Sequence, residues 1–240
     1  MGVNYNPAIV TSGLTMYLDA SNRKSYSGSG ATTWIDQIQG LVFNSVGITN
    51  SLLTFNGASA LAFNGSGYWE CGTNYSLVDL GGDCTLIMWI YMDPVSVRKT
   101  LFEKAGTVYG SFQQEIAMTM ETSGQPSYYS RYSATAPGYD NASASLLTQS
   151  VWNMMAIKMS TGRTAAARTG FNSLNGSAWS ANYNSTTSTA LVSAGAIRVG
   201  SGYAGTMDSC SVGSVIAYNR MLNDSEILQN FTALRGRFGV

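Results

Sequence analysis

The chain has 240 residues, of which 45% are hydrophobic and only 11% are charged. Its 13 basic residues balance its 13 acidic ones, so no net field gathers nucleic-acid phosphates or anionic lipids, and we expect neither as a partner. Histidine is absent from the sequence, which excludes Ser-His-Asp and Cys-His catalysis and imidazole metal sites.

Short segments of alternating polarity follow one another along the chain and are separated by Gly, Asn and Ser turns, a pattern typical of strands. The weaker predicted strands are residues 14–18, 52–55, 60–63, 68–71, 100–102, 165–171, 196–199 and 212–218. Many short strands predict a large antiparallel sandwich of two sheets.

Three stronger segments indicate where the sheets are covered. Residues 85–92 are apolar on both faces, and so are residues 151–159, which predicts central strands buried on both sides. Residues 112–120 instead alternate, so we expect one face to point inward and the other toward water.

One short helix is predicted near the end of the chain. Asn223 has N-cap chemistry, and Glu226 stands at the capping-box position. Ile227, Phe231 and Leu234 then recur at helical spacing, so the helix should pack an apolar stripe on the sandwich. We therefore predict a single domain over residues 1–240, with a short N-terminal arm at 1–12 and long polar loops at 123–145 and 173–188.

The cysteines and the first residues indicate the cellular compartment in which the protein is made. Cys71, Cys84 and Cys210 are odd in number and lack Cys-x-x-Cys spacing, which favours buried thiols over a disulfide framework or a zinc site. Residues 1–13 lack a basic region followed by an apolar one, so we expect no signal peptide and synthesis in a cytoplasm.

An ordered set of short motifs resembles the laminin-G-like and concanavalin A-like domains. The motifs of this set are GLTMYLD at 13–19, WID at 34–36, LAFNG at 61–65, TLIMWI at 85–90, LFEK at 101–104, VW at 151–152, RVG at 198–200 and VIAYNRML at 215–222. The resemblance covers nearly the whole chain and implies an all-β, concanavalin A-like jelly-roll sandwich with one C-terminal helix.

The last part of the chain, from Ile216 to Gly239, is similar to the ends of laminin-G-like proteins of tailed bacteriophages. This resemblance implies a virion structural protein at the particle surface, either a capsid decoration or a fibre or tail accessory protein. Its partners would be other virion proteins. The weakly charged surface also favours a homo-oligomer, because few charges oppose self-association.

Carboxylate spacing argues against hydrolysis. Glycoside hydrolases of this fold class need two carboxyl groups on either side of the scissile bond, about 5 to 9.5 Å apart. The best strand-borne pair, Glu115 and Glu121, shares one face but lies about 20 Å apart at ~3.3 Å per residue. We therefore expect a protein without catalytic residues, although a pair assembled from distant strands would change that expectation.

Calcium sites occur in this fold, but the sequence assigns none. The candidate oxygen donors Asp19, Asp36, Asp93, Asp140 and Asp208 do not form a spaced cluster. Asp19 and Asp36 follow strand-like segments, where an Asp commonly accepts hydrogen bonds from the backbone of its own turn. No cofactor is predicted, and a calcium ion is left unassigned.

The best candidate binding surface is an aromatic cluster in the first polar loop. Its members are Tyr128, Tyr129, Arg131, Tyr132, Tyr139 and Asp140. Rings with neighbouring polar groups are typical of sugar sites, which supports a second hypothesis, a carbohydrate-binding module that recognises a receptor. The same side chains also suit a protein interface, or packing of the loop on its sheet.

Overall fold

The computed structural model describes residues 8–47, 51–55, 58–72, 78, 80, 82–105, 114–122, 124–131, 147–160, 168–185, 195–202 and 205–240. Its strands are β1 (Leu14–Asp19), β2 (Thr33–Ile35), β3 (Val42–Val46), β4 (Ser51–Phe55), β5 (Ala58–Phe63), β6 (Tyr68–Cys71), β7 (Cys84–Met92), β8 (Lys99–Ala105), β9 (Gln114–Met120), β10 (Pro126–Arg131), β11 (Trp152–Met159), β12 (Arg168–Leu174), β13 (Ser180–Ser185), β14 (Ile197–Val199) and β15 (Cys210–Tyr218). The helix α1 spans Asp224–Phe238.

In the described part of the chain the strands form two antiparallel sheets. Sheet A has the order β13-β12-β11-β7-β15-β5-β4, and β1 also pairs with β15. Sheet B has the order β10-β9-β8-β14-β6-β3-β2. The two sheets and the C-terminal helix confirm the predicted all-β sandwich.

The main core lies between the two sheets. Leu86, Met88 and Ile90 of β7 belong to the same buried cluster as Trp69 of β6 and Phe102 of β8. Each buried side chain of this size stabilises the fold by roughly 1.5–3 kcal/mol relative to an exposed one. Strand β7 lies between β11 and β15, which confirms its predicted central position.

A second core covers the outer face of sheet A. Trp89 of β7 stacks on Phe231 and Phe238 of α1, with ring centroids 5.7 and 4.6 Å away. Phe238 also contacts Trp152 of β11 at 4.6 Å. The helix therefore buries the second apolar face of β7 and β11, as the two-sided pattern of these strands predicted.

Gly213 makes this close approach of α1 to the sheet feasible. A Cβ atom at Gly213 would lie 2.4 Å from the Phe238 ring. The position coincides with a register shift between Val212 and Ser214 in the pairing of β15 with β7. Strand β15 thus bends where the ring rests, and any side chain at this position would displace the helix.

The helix begins with the predicted capping chemistry. The Asn223 side chain accepts a hydrogen bond from the Glu226 backbone N–H, and the Glu226 carboxylate accepts one from the Asn223 backbone N–H. Gly239 ends the helix in the left-handed conformation, at φ 73°. Arg237 forms two hydrogen bonds with the buried Asp19 carboxylate, at 2.7 and 3.1 Å, and so fixes the last turn to β1.

The arm that precedes β1 is also bound to the helix. The Val10 N–H donates to Asn230 Oδ1 at 2.9 Å, and the Gln229 side chain donates to the Ala8 carbonyl at 2.7 Å. The Tyr218 hydroxyl of β15 donates to the Val10 carbonyl at 2.9 Å. Residues 8–10 therefore belong to the cover of sheet A.

The three cysteines are buried, as predicted, and none forms a disulfide. Burial raises the pKa of the Cys210 thiol. Among the described residues, no helix combines the length and the apolar character needed to cross a bilayer.

The structure corrects three details of the sequence interpretation. The second face of β9 is not open to water, since Ala117 and Thr119 are buried. The predicted polar loops at 123–145 and 173–188 contain strands β10 and β13. Strands β2 and β3 were not predicted. They are short, and three of the five β3 side chains are exposed, so their apolar pattern is weak.

We expect Phe238→Ala to destabilise the protein by about 3–5 kcal/mol, since a fully buried ring between two tryptophans is removed. The measurement is urea unfolding followed by tryptophan fluorescence. Leu228→Ala is the matched control, because Leu228 lies on the same helix and is 51% exposed. Equal losses for the two variants would contradict the proposed role of the ring.

We expect Glu226→Gln to make unfolding less sensitive to acid. The hydrogen bond from Arg220 holds the pKa of Glu226 below its ordinary value, so the carboxylate stabilises the fold above about pH 4.3 and stops doing so as the pH falls through its lowered pKa. Gln keeps a capping-box acceptor, and the loss at neutral pH should stay below about 1 kcal/mol because the pair is partly exposed. Urea unfolding at several pH values tests this, and an unchanged acid slope would refute it.

Candidate binding face

The outer face of sheet B carries a polar row that crosses several strands in register. Asn44 of β3 pairs with Glu70 of β6, Glu70 pairs with Arg198 of β14, and Arg198 pairs with Glu103 of β8. Their side chains point away from the core because their neighbours Ile197 and Val199 point into it. We call these four residues the polar row.

Arg198 is the centre of the polar row. Its Nε donates to Glu70 Oε2 at 2.6 Å, and its guanidinium lies 5.4 Å from the centre of the Tyr68 ring. Burial lowers the pKa of Arg198, but the hydrogen bond and the charge of Glu70 outweigh burial and raise it. The cation is thus held in place by a carboxylate beside it and a ring next to it.

The polar row brings two carboxylates from different strands to one face, which the spacing along a single strand does not predict. Glu70 and Glu103 are separated by one strand, about 9–10 Å between backbones at ~4.8 Å per strand. Arg198 lies at the register position between them and is bonded to Glu70. In a glycosidase the reacting sugar carbon lies between the two carboxyl groups. Here the Arg198 guanidinium occupies that position.

Glu103 is further shielded by the loop after β14. It is 2% exposed, and a Cβ atom at Gly202 would lie 2.3 Å from its carboxylate. The glycine lets this loop approach the sheet and cover the Glu103 end of the row. The polar row is consequently exposed at Asn44, partly exposed at Glu70 and Arg198, and closed at Glu103.

Four exposed aliphatic side chains, which we call the aliphatic strip, lie on both sides of Asn44 at the open end of the polar row. Its members, on the β2–β3 hairpin, are Ile35 (36% exposed), Ile38 (41%), Val42 (43%) and Val46 (37%). Ile35 pairs with Val42, and Val46 pairs with Tyr68 of β6. The strip and the open part of the row form one surface, which we call the sheet B face.

The aspartates that sequence analysis considered as calcium donors have structural partners. Asp19 accepts from the Ser21 N–H at 2.9 Å, and Asp36 accepts from the Gln39 N–H at 2.7 Å, which confirms the predicted turn bonds. Asp93 accepts from the Ser150 hydroxyl, and Asp208 pairs with Lys99. Asp140 lies outside the described residues, and within the described ones no three acidic or cysteine side chains come together as metal donors.

The structure tests little of the predicted aromatic site. Tyr128, Tyr129 and Arg131 lie on β10, an edge strand of sheet B, and not in a loop, since aromatic residues favour strands. Only their backbones are described. Tyr129 pairs with Ala117, which itself pairs with Glu103, so its backbone lies at the far end of the polar row. Tyr132 and Tyr139 lie outside the described residues.

No protein-family model matches the chain, and no curated protein sequence matches it. Solved structures do share its fold. One is a mutant of Trypanosoma rangeli sialidase that displays trans-sialidase activity, with a TM-score of 0.69 and 16% identity. The similarity covers 96% of this chain and 34% of that one, so this chain spans about a third of the sialidase.

Two further structures are binding domains. The receptor-binding domain of botulinum neurotoxin type G gives a TM-score of 0.59 at 10% identity, covering 92% of this chain and 51% of that one. The binding domain of paraclostridial mosquitocidal protein 1 gives a TM-score of 0.63 at 12% identity, and the similarity covers 91% of this chain and 52% of that one. At these identities the comparisons establish the fold, a β-sandwich shared by an enzyme and by binding domains.

Proposed function

We propose that this chain is a recognition module that binds a carbohydrate or a carbohydrate-bearing receptor and catalyses no reaction. The observation that carries the proposal is the geometry of the outer face of sheet B, where Arg198 lies between the carboxylates of Glu70 and Glu103 and Glu103 is buried. Within the described residues this face offers polar contacts at Asn44, Glu70 and Arg198 and lacks a free acid–base pair. The similarity in fold to the receptor-binding domain of botulinum neurotoxin type G and to the binding domain of paraclostridial mosquitocidal protein 1 supports this proposal.

The predicted aromatic cluster supplies the proposed sugar contact. Tyr128 and Tyr129 lie on the edge strand β10, and Tyr132 follows directly in the sequence. Tyrosine rings offer sugars an apolar face together with a hydroxyl group for hydrogen bonding. In this proposal the sugar contacts the protein at β10, an edge strand of sheet B.

A glycan array tests this proposal. We expect the wild-type protein to bind at least one glycan class and the double variant Tyr129→Ala, Tyr132→Ala to lose at least tenfold in affinity, which corresponds to about 1.4 kcal/mol. Leu228→Ala is the control for general surface change, since Leu228 is exposed on the opposite side of the sandwich. A parallel array with chelator assigns any role of calcium.

Two results would contradict the proposal. If folded wild-type protein binds no glycan, a carbohydrate is not the ligand. If the double variant binds as well as the wild type, the tyrosines are not the sugar contact. Release of sugar from any bound glycan during prolonged incubation would overturn the non-catalytic part.

A virion structural protein is the second candidate, and the aliphatic strip favours it. Exposed aliphatic side chains grouped on one face are typical of surfaces that another protein covers. In this role the chain docks on capsid or tail proteins through its own sandwich. An antibody against the chain should then label particles purified from a lysate of the source, and unlabelled particles would count against a virion role.

A further inference from the structure

At the sheet B face, four neighbouring side chains form a patch that is half apolar and half polar. Val46 of β3 pairs with Tyr68 of β6, and Asn44 pairs with Glu70 two residues further along the same strands. Trp69, between Tyr68 and Glu70, is buried in the core, so the four side chains share the outer face. We call them the amphipathic patch.

The dimensions of the amphipathic patch suit one small ring. Its two strands lie ~4.8 Å apart, and its two pairs are separated by about 6.6 Å along the strands. A pyranose covers an area of this kind, and it carries C–H groups on its faces and hydroxyl groups around its edge. Val46 and Tyr68 match the C–H groups, whereas the amide and the carboxylate match the hydroxyl groups.

The polar half of the patch can form hydrogen bonds with a ligand. Asn44 is exposed, and its amide offers both a donor and an acceptor. Glu70 is partly exposed and accepts from Arg198 Nε through Oε2, at 2.6 Å. Its other oxygen, Oε1, can accept from a sugar hydroxyl, since the described residues bring no other donor to it.

The charges beside the patch favour an uncharged sugar over an acidic one. Arg198 lies in register between Glu70 and Glu103, so one guanidinium faces two carboxylates. A ligand carboxylate at the patch would meet Glu70 directly, and like charges a few ångströms apart repel each other. The guanidinium is already paired with Glu70, so recognition of an acidic sugar would have to break that pair.

We propose that the amphipathic patch is a subsite for an uncharged pyranose, whose C–H face packs on Val46 and Tyr68 and whose hydroxyl groups bond to Asn44 and Glu70. The inference rests on the proposed carbohydrate recognition and adds the ligand class and a second contact. Strands β6 and β10 are four strand spacings apart in sheet B, about 19 Å at ~4.8 Å per strand. The two contacts therefore belong to different sugar units of a glycan.

NMR titration with methyl glycosides tests the ligand class. The glycosides of glucose, galactose and mannose are each compared with the matching uronic acid glycoside, which carries a carboxylate in place of the C6 hydroxymethyl group. We expect at least one neutral glycoside to shift the signals of Asn44 and Tyr68, and its acidic counterpart to bind roughly tenfold more weakly. Added salt should narrow the difference, because it screens the repulsion.

Two variants distinguish ligand contact from a structural role. Asn44→Ala should weaken binding of the neutral glycoside roughly fivefold, because a hydrogen-bonding amide is lost. Glu70→Gln should reduce the preference for the neutral over the acidic glycoside, because the repelling charge is removed. Gln39→Ala is the matched control, since it removes an exposed amide from the β2–β3 turn outside the patch. Equal thermal unfolding of all four proteins shows that folding is intact.

The proposal is overturned if no neutral glycoside binds, if the acidic glycosides bind as tightly, or if Asn44→Ala binds like the wild type. It can fail while carbohydrate recognition stands. A glycan-array signal that is lost in the Tyr129→Ala, Tyr132→Ala variant and unchanged in Asn44→Ala and Glu70→Gln would assign the sugar to β10 alone. Absence of every glycan and glycoside signal would overturn both proposals.

Discussion

The packing of Phe238 between Trp89 and Trp152 is the contact on which the rest of the architecture depends. Strands β7 and β11 are apolar on both faces, and a sandwich of two sheets covers only one of them. Without the helix, a row of aromatic side chains would stay in water at the centre of sheet A. The same ring requires a glycine at position 213 and places Arg237 where it reaches Asp19, so helix, sheet and first strand are fixed together.

Much of the fold could be predicted because its signals are local. The capping box at Asn223 and Glu226 needs only four residues to be recognised, and the two-sided apolar pattern of β7 is visible within nine. Strands such as β10 were assigned to loops because Gly, Ser and Pro around them resemble turn sequences. The burial of Thr119 could not be predicted, since it depends on what lies over the outer face of sheet B.

The polar row shows why the site was harder to predict than the fold. Glu70 and Arg198 are 128 residues apart in the sequence and become neighbours only through the order of strands in sheet B. The spacing of residues along the chain does not predict the order of strands in the sheet. The aspartates at 19 and 36 were predictable for the opposite reason, because their partners lie two or three residues away.

The arm at residues 8–10 and the helix α1 lie together on the outer side of sheet A. A tag or a fused domain joined after Val240 would therefore emerge on the side of the molecule opposite to sheet B. Immobilising the protein through such a tag would turn sheet B toward the solution. The fold thus separates the side through which the chain can be tethered from the side that can meet a ligand.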